Sequence, residues 1–270
     1  MNAFATPTIM SLATTRGSFR VALDGDAKAP ALILCNSLGT TLEMWNPQVS
    51  TLGQSFRLIR YDTRGHGASV VTPGPYSFDD LGQDVLAILD ALEVSTASFC
   101  GISMGGHTGL WLAVHAAERL NALAVCNSAA RIGTAPAWHE RATAVRTGGQ
   151  AAMQALADSA PARWFTAGFV QSHPGVVQRV QESLACIDAE GYAACCDALA
   201  TSDLRGDLAR IVTPTLLLAG AFDPVTTVAD AQAMQAAIAH AQLAVVPASH
   251  LSNLEASVAF DEAILKFLGA

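Results

Sequence analysis

Charge is scarce in this chain: Asp, Glu, Lys and Arg make up 14% of its 270 residues, against 51% hydrophobic residues. That balance excludes an intrinsically disordered polypeptide, which needs high charge and few apolar side chains. Clustered basic residues are missing as well. With 15 Lys+Arg against 23 Asp+Glu, and no basic stripe, there is no footprint for nucleic acid. At a net charge of -8, an anionic ligand would need a local cationic pocket. No uninterrupted apolar run reaches the ~18 residues of a membrane helix. The first basic residue is Arg16, so the amino terminus lacks the charged lead of a secretory signal. The six cysteines (Cys35, Cys100, Cys126, Cys186, Cys195 and Cys196) form no paired metal-type repeat, and no glycine loop of the phosphate-binding kind appears. The expectation is a cytoplasmic protein with reduced thiols and neither metal nor cofactor. It has no membrane or nucleic-acid partner, and its oligomeric state is left open.

What the chain does contain is alternation of strand-like and helix-like segments. Thr8 to Leu23, with Gly17 between two weakly alternating runs, reads as a β-hairpin. Ala31 to Cys35 is a continuous apolar run, as a strand buried on both faces requires. Phe56–Tyr61, Ser98–Ile102, Leu120–Val125, Thr215–Leu218 and Gln242–Val246 read as further strands. Helical spacing follows several of them; one such helix starts at Ser77, with Asp80 three residues on as its capping partner. This pattern predicts an α/β fold with a mostly parallel sheet flanked by helices. The alternation breaks between Arg131 and about Arg210, where Ala-rich helical segments carry Trp138, Trp164 and Phe165. The expected organisation is a core of residues 1–130 and 210–270 with a helical cap, 131–209, over the carboxyl edge of the sheet.

The strongest chemical signal is Gly101-Ile-Ser103-Met-Gly105-Gly106, after a strand and opening a helix. A nucleophile elbow needs that context: the chain turns sharply, the serine protrudes, and its neighbours must be nearly free of side chain. The competing reading is a packing turn. A serine needs a base, and His250 stands on a loop after the last strand. The other six histidines fit less well: His115 and His240 on helices, His66 in a structural turn, and His139 and His173 in the cap. His107 lies one turn beyond Ser103, on the wrong side to act as its base. Asp223, after the strand at 215–218, is the acid that would orient His250, unless it is merely a helix cap. The other acid position of such folds, here Cys126-Asn127-Ser128-Ala129, has no carboxylate. The oxyanion donors would be the backbone amides of Leu38 and Met104.

With these residues placed, the chain resembles the 3-oxoadipate enol-lactonases of the α/β-hydrolase superfamily. The resemblance rests on Asn36-Ser-Leu-Gly-Thr-Thr-Leu-Glu-Met-Trp45, Arg60-Tyr-Asp-Thr-Arg-Gly-His-Gly67, Gly101–Gly106 and His250-Leu-Ser-Asn-Leu-Glu255. In the cap it rests on Arg131-Ile-Gly-Thr134 and Gly191–Cys196. It implies hydrolysis of 3-oxoadipate enol-lactone, in protocatechuate and catechol breakdown, by a triad of Ser103, Asp223 and His250. The partner would be a small anionic lactone. His107 stands where relatives are expected to carry an apolar residue, which could alter the pocket, and Phe222 precedes Asp223 where a histidine is more usual. Arg131 and Trp138, at the start of the cap, are the candidates to hold the lactone's carboxylate. Otherwise Arg131 pairs with a surface acid and Trp138 only packs. Two further functions compete: a general carboxylesterase or cofactor-free perhydrolase on the same triad, and a non-catalytic binding module.

Overall fold

The computed structural model describes residues 8–269; positions 1–7 and 270, assigned above to the core, lie outside the described residues. The amino-terminal hairpin forms from β1 (Thr8–Thr14) and β2 (Gly17–Asp24), closed where Gly17 takes φ 126. Six more strands follow: β3 (Ala31–Cys35), β4 (Arg57–Tyr61), β5 (Ala97–Ile102), β6 (Leu120–Cys126), β7 (Thr215–Gly220) and β8 (Gln242–Val246). They make one sheet in the order β1-β2-β4-β3-β5-β6-β7-β8. Only the β1–β2 and β2–β4 pairings are antiparallel. From β4 to β8 every pairing is parallel. The apolar run Ala31–Cys35 and its neighbour Ala97–Ile102 therefore lie at the centre, where both faces of a strand are covered and alternation is not needed.

Helices cover the sheet. Helix α1 spans Asn46–Leu52. Helix α2 (Phe78–Ala91) starts at Ser77, whose hydroxyl and Asp80 form a reciprocal capping box, and packs on α3 (Met104–His115). Helix α3 is buried along almost its whole length, which accounts for its apolar residues on every side. Between β6 and β7 run α4 (Ala135–Ser159), α5 (Pro161–Trp164), α6 (Ala167–Ser172), α7 (Pro174–Ala185) and α8 (Ala189–Thr201). Helix α4 packs on α7 and α8, and is broken at Gly149, whose φ of 52 no helix accommodates. The chain closes with α9 (Val228–Ala237), α10 (Ser252–Glu255) and α11 (Ser257–Leu268). His240, expected on a helix, sits in the turn after α9 at φ 61.

The two ends of the helical insertion meet in a neck. Leu204 N donates to Ala130 O at 2.8 Å. His107 reaches the same place from α3: its Nδ1 donates to Ala129 O (2.9 Å) and its Nε2 accepts from Ser202 Oγ (2.7 Å). Both ring nitrogens are thereby used, and burial pushes the imidazole down to about 4, so it is neutral. His107 fastens the insertion to the core and does not shape a pocket.

Asp261 on α11 is buried, its Oδ1 has no hydrogen-bond partner, and burial outweighs Gln48 and Thr51 to push its carboxyl up to about 6. A carboxyl raised above its unfolded value stabilises the fold most at low pH and loses that contribution as pH rises through about 6. Asp261→Asn is therefore expected to raise stability near pH 8 by up to about 3 kcal/mol and to do little near pH 4. Melting curves at both pH values check this; an equal shift at both would contradict it.

Candidate active site

Parallel strands deliver their carboxyl ends to one edge, where loops from β3, β5, β6, β7 and β8 converge. Ser103 is at the end of β5, with φ 57 and ψ -117, a left-handed conformation that costs on the order of 1–3 kcal/mol for a non-glycine residue. Ser103 N donates to Cys126 O (2.9 Å), and Ser103 O accepts from His107 N (3.0 Å) and Ser128 Oγ (2.7 Å). The glycines beside it are sterically required. A Cβ on Gly101 would lie 2.3 Å from Gly105 O, and one on Gly105 would lie 2.3 Å from Cys35 O.

Asp223 and His250 meet behind the serine. His250 Nδ1 lies 2.8 Å from Asp223 Oδ2, and both side chains are almost wholly buried. Asp223 is surrounded by donors: Asn127 Nδ2 (3.0 Å) and Thr226 Oγ1 (2.9 Å) on Oδ2, Val225 N (2.8 Å) and Thr226 N (3.1 Å) on Oδ1. Burial acts to raise this carboxyl, but the hydrogen bond and charge of His250, then Asn127 and Val225 N, outweigh it and hold it below the usual range. An ionised carboxylate only accepts, so His250 Nδ1 donates to Asp223, and in the neutral ring that leaves Nε2 as the acceptor. Helix α9 is capped by Thr227 with Asp230, so capping is not the function of Asp223. Asn127, in the loop without a carboxylate, was not singled out from the sequence. Its Nδ2 also donates to Ser249 O (3.1 Å), and its Oδ1 accepts from Ser252 Oγ (2.5 Å).

Ser103, His250 and Leu38 open on one cavity of about 220 Å³. No hydrogen bond joins Ser103 Oγ to His250 Nε2 among the described residues. The Leu38 loop is braced by buried groups: Gly39 N donates to His66 Nε2 (3.0 Å), and Asn36 Nδ2 to Tyr61 O (2.8 Å). Burial pushes His66 down to about 4, which keeps Nε2 an acceptor. Met104 N opens α3, where first-turn amides have no partner within the helix. A larger cleft, about 580 Å³, lies between residues 40–47 and α7. It contains none of Ser103, Asp223 and His250; the smaller cavity is the one on which Ser103 and His250 open.

The two proposed carboxylate contacts fare differently. Trp138 lines the cavity, but its indole N–H is spent on Ile132 O at 2.6 Å. Arg131 is not in the cavity; it points outward at the neck and pairs with Asp203 at 3.4 Å. In their place the wall carries Arg141 and Arg163. Arg141 follows Trp138 by three residues on α4 and places its guanidinium 4.8 Å from the indole ring. Among the described residues, the Arg163 guanidinium donates only to Ser159, to its carbonyl (3.3 Å) and hydroxyl (3.2 Å). Neither arginine pairs with a carboxylate among the described residues. Burial, and then the nearby charge of Arg141, lower the Arg163 pKa. Two cations crowded without an acid make a site for an anion.

Residues 30–257 match the family model of the alpha/beta hydrolase fold. The chain is 51% identical to 3-oxoadipate enol-lactonase 2 of Acinetobacter baylyi over 240 residues, 89% of each protein. With 3-oxoadipate enol-lactonase 1 of that organism the identity is 47%, over 87% of each. This chain belongs to the 3-oxoadipate enol-lactonase family of α/β hydrolases. The enol-lactonase of Burkholderia xenovorans LB400, a solved structure of 41% identity, superposes with a TM-score of 0.92 over 99% of this chain and all of its own. No helix among the described residues is long and apolar enough to cross a membrane.

Proposed function

We propose that this enol-lactonase family member hydrolyses 3-oxoadipate enol-lactone to 3-oxoadipate, in the cytoplasmic breakdown of protocatechuate and catechol. One observation carries the reading: a serine and a histidine face a cavity whose wall holds two arginines that have no carboxylate partner among the described residues. The substrate combines a lactone carbonyl with a free carboxylate, and the cavity offers a group for each. Residues 131–209 act as the cap that brings the arginines over the sheet edge.

In this mechanism Ser103 Oγ attacks the lactone carbonyl as its proton passes to His250 Nε2, with Asp223 holding the imidazolium. The amides of Leu38 and Met104 receive the negative charge on the carbonyl oxygen. When the C–O bond of the ring breaks, the enol oxygen takes the proton from His250 and stays tethered to the acyl-enzyme. The enol then tautomerises to the ketone, which removes the nucleophile that could reclose the ring. Water, deprotonated by His250, attacks the Ser103 ester, and the acid leaves as Ser103 regains its proton. Arg141 and Arg163 hold the free carboxylate throughout.

The direct test is turnover of freshly generated enol-lactone beside p-nitrophenyl acetate. A much higher kcat/KM on the lactone supports the proposal, whereas preference for the neutral ester would make this a general esterase. Arg163→Ala and Arg141→Ala are each expected to raise KM for the lactone roughly 10- to 150-fold, the loss of a charge-assisted hydrogen bond. KM for the neutral ester should barely move. Equal losses on both substrates would mean that the arginines support the cap and do not read the carboxylate.

A further inference from the structure

Glu255 ends the His250-Leu-Ser-Asn-Leu-Glu segment, yet the mechanism above gives it no task. It lies at the end of α10, and its carboxylate reaches across to the insertion. Oε2 accepts from Ser249 N at 2.8 Å, one residue before His250. The same carboxylate accepts from Thr166 N (3.1 Å to Oε1, 3.3 Å to Oε2) and from the Thr166 hydroxyl. On the other side of the histidine, Leu251 N donates to Trp164 O at 3.1 Å. Residues 164–166 are thus tied directly to the chain after His250, and through the Glu255 carboxylate to Ser249 before it. They directly follow Arg163, and Trp164 itself lines the cavity.

We propose that Glu255 is a positioning residue that locks the His250 loop to the arm of the cap carrying Arg163. The physical reason is the geometry of the donors. Two backbone N–H groups and a hydroxyl, from segments 83 positions apart at Ser249 and Thr166, converge on one carboxylate. Without it, the loop keeps its bonds to the core through Asn127 and Asp223 but is tied to the arm by Leu251–Trp164 alone among the described residues, and His250 gains freedom relative to the arm and to bound substrate. Misplacement of a catalytic group by about 1 Å is enough to cost ~10²-fold in rate. The proposal rests on His250 as base, so its test does not use the lactone.

Glu255→Ala is expected to lower kcat for p-nitrophenyl acetate, and the rate of Ser103 labelling by a fluorophosphonate, roughly 10- to 100-fold. KM for the ester should hold, since the loop does not bind it. Glu255→Gln should recover most of the rate. Its carbonyl can accept both N–H groups, and its amide can donate to the Thr166 hydroxyl, which reverses its role. Thr166→Val, which keeps the backbone donor, should lose less than Glu255→Ala, and the double variant should be no worse than Glu255→Ala alone. A folded Glu255→Ala protein with wild-type labelling and kcat overturns the proposal, as do losses that multiply independently in the double variant. If Glu255→Ala fails to fold, Thr166→Val decides: an unchanged labelling rate overturns the proposal, and a reduced one that Glu255→Gln does not share supports it. Absence of lactone turnover in the wild-type protein, with ester turnover intact, would instead count against the substrate alone.

Discussion

Ser103→Ala is expected to lose on the order of 10³- to 10⁶-fold in kcat while remaining folded. The backbone of Ser103 holds the elbow together, through Cys126 O, His107 N and Ser128 Oγ, and all three contacts survive the substitution. Only the hydroxyl is removed. In the proposed mechanism, what remains is the amides of Leu38 and Met104 and the arginine-lined cavity, which would bind substrate without a nucleophile, and a triad stripped of one member falls back to that residual catalysis. Steady-state kinetics on the lactone, loss of fluorophosphonate labelling and an unchanged melting curve together check the expectation. A folded Ser103→Ala protein with near wild-type turnover would remove the mechanism.

The parts of this fold that were legible in the sequence are those where local chemistry and global position agree. A continuous apolar run as short as Ala31–Cys35 reads as a strand buried on both faces, and it lies near the centre of the sheet, beside the strand read at Ser98–Ile102. Gly101 and Gly105 marked the elbow because any side chain there collides with backbone. Asp223 and His250 were readable from chain order, since loops after parallel strands must gather at one edge. The insertion was harder. Helical spacing says which residues share a face of α4, but not whether that face meets the cavity, α7 or α8. Arg131 sat nearest in sequence to the sheet edge, yet the neck formed by Ala130 and Leu204 turns it outward to Asp203. Trp138 reached the cavity, but the Gly133 turn, at φ 66, brings Ile132 O within reach of its indole N–H. Arg141, three residues further along the same helix, was one step from being found. Arg163 and Asn127 were not, because their significance depends on partners far away in the chain.

Asp223→Asn tests the buried half of the site, and its expected loss in kcat is roughly 10²- to 10⁴-fold. The carboxylate has donors on both oxygens: two backbone N–H groups on Oδ1, and His250, Asn127 and Thr226 on Oδ2. An amide cannot satisfy that arrangement either way round. With its NH₂ toward Oδ1, it faces Val225 N and Thr226 N, donors against donors, and buried groups are left unpaired. With its NH₂ toward Oδ2, it meets Asn127 Nδ2 and forces His250 to accept at Nδ1. The imidazole proton then sits on Nε2, and the ring cannot take the proton of Ser103. The charge that would steady the imidazolium is lost in both orientations. Asp230→Asn provides the control, because Asp230 is only half-buried and completes the capping box of α9. That change should cost about 0.3–1 kcal/mol of stability, the loss of a negative charge in the first helical turn, and leave kcat nearly intact. Kinetics and melting curves on the pair separate the two roles: greater loss of turnover in Asp230→Asn than in Asp223→Asn would mean that the acid has been misassigned.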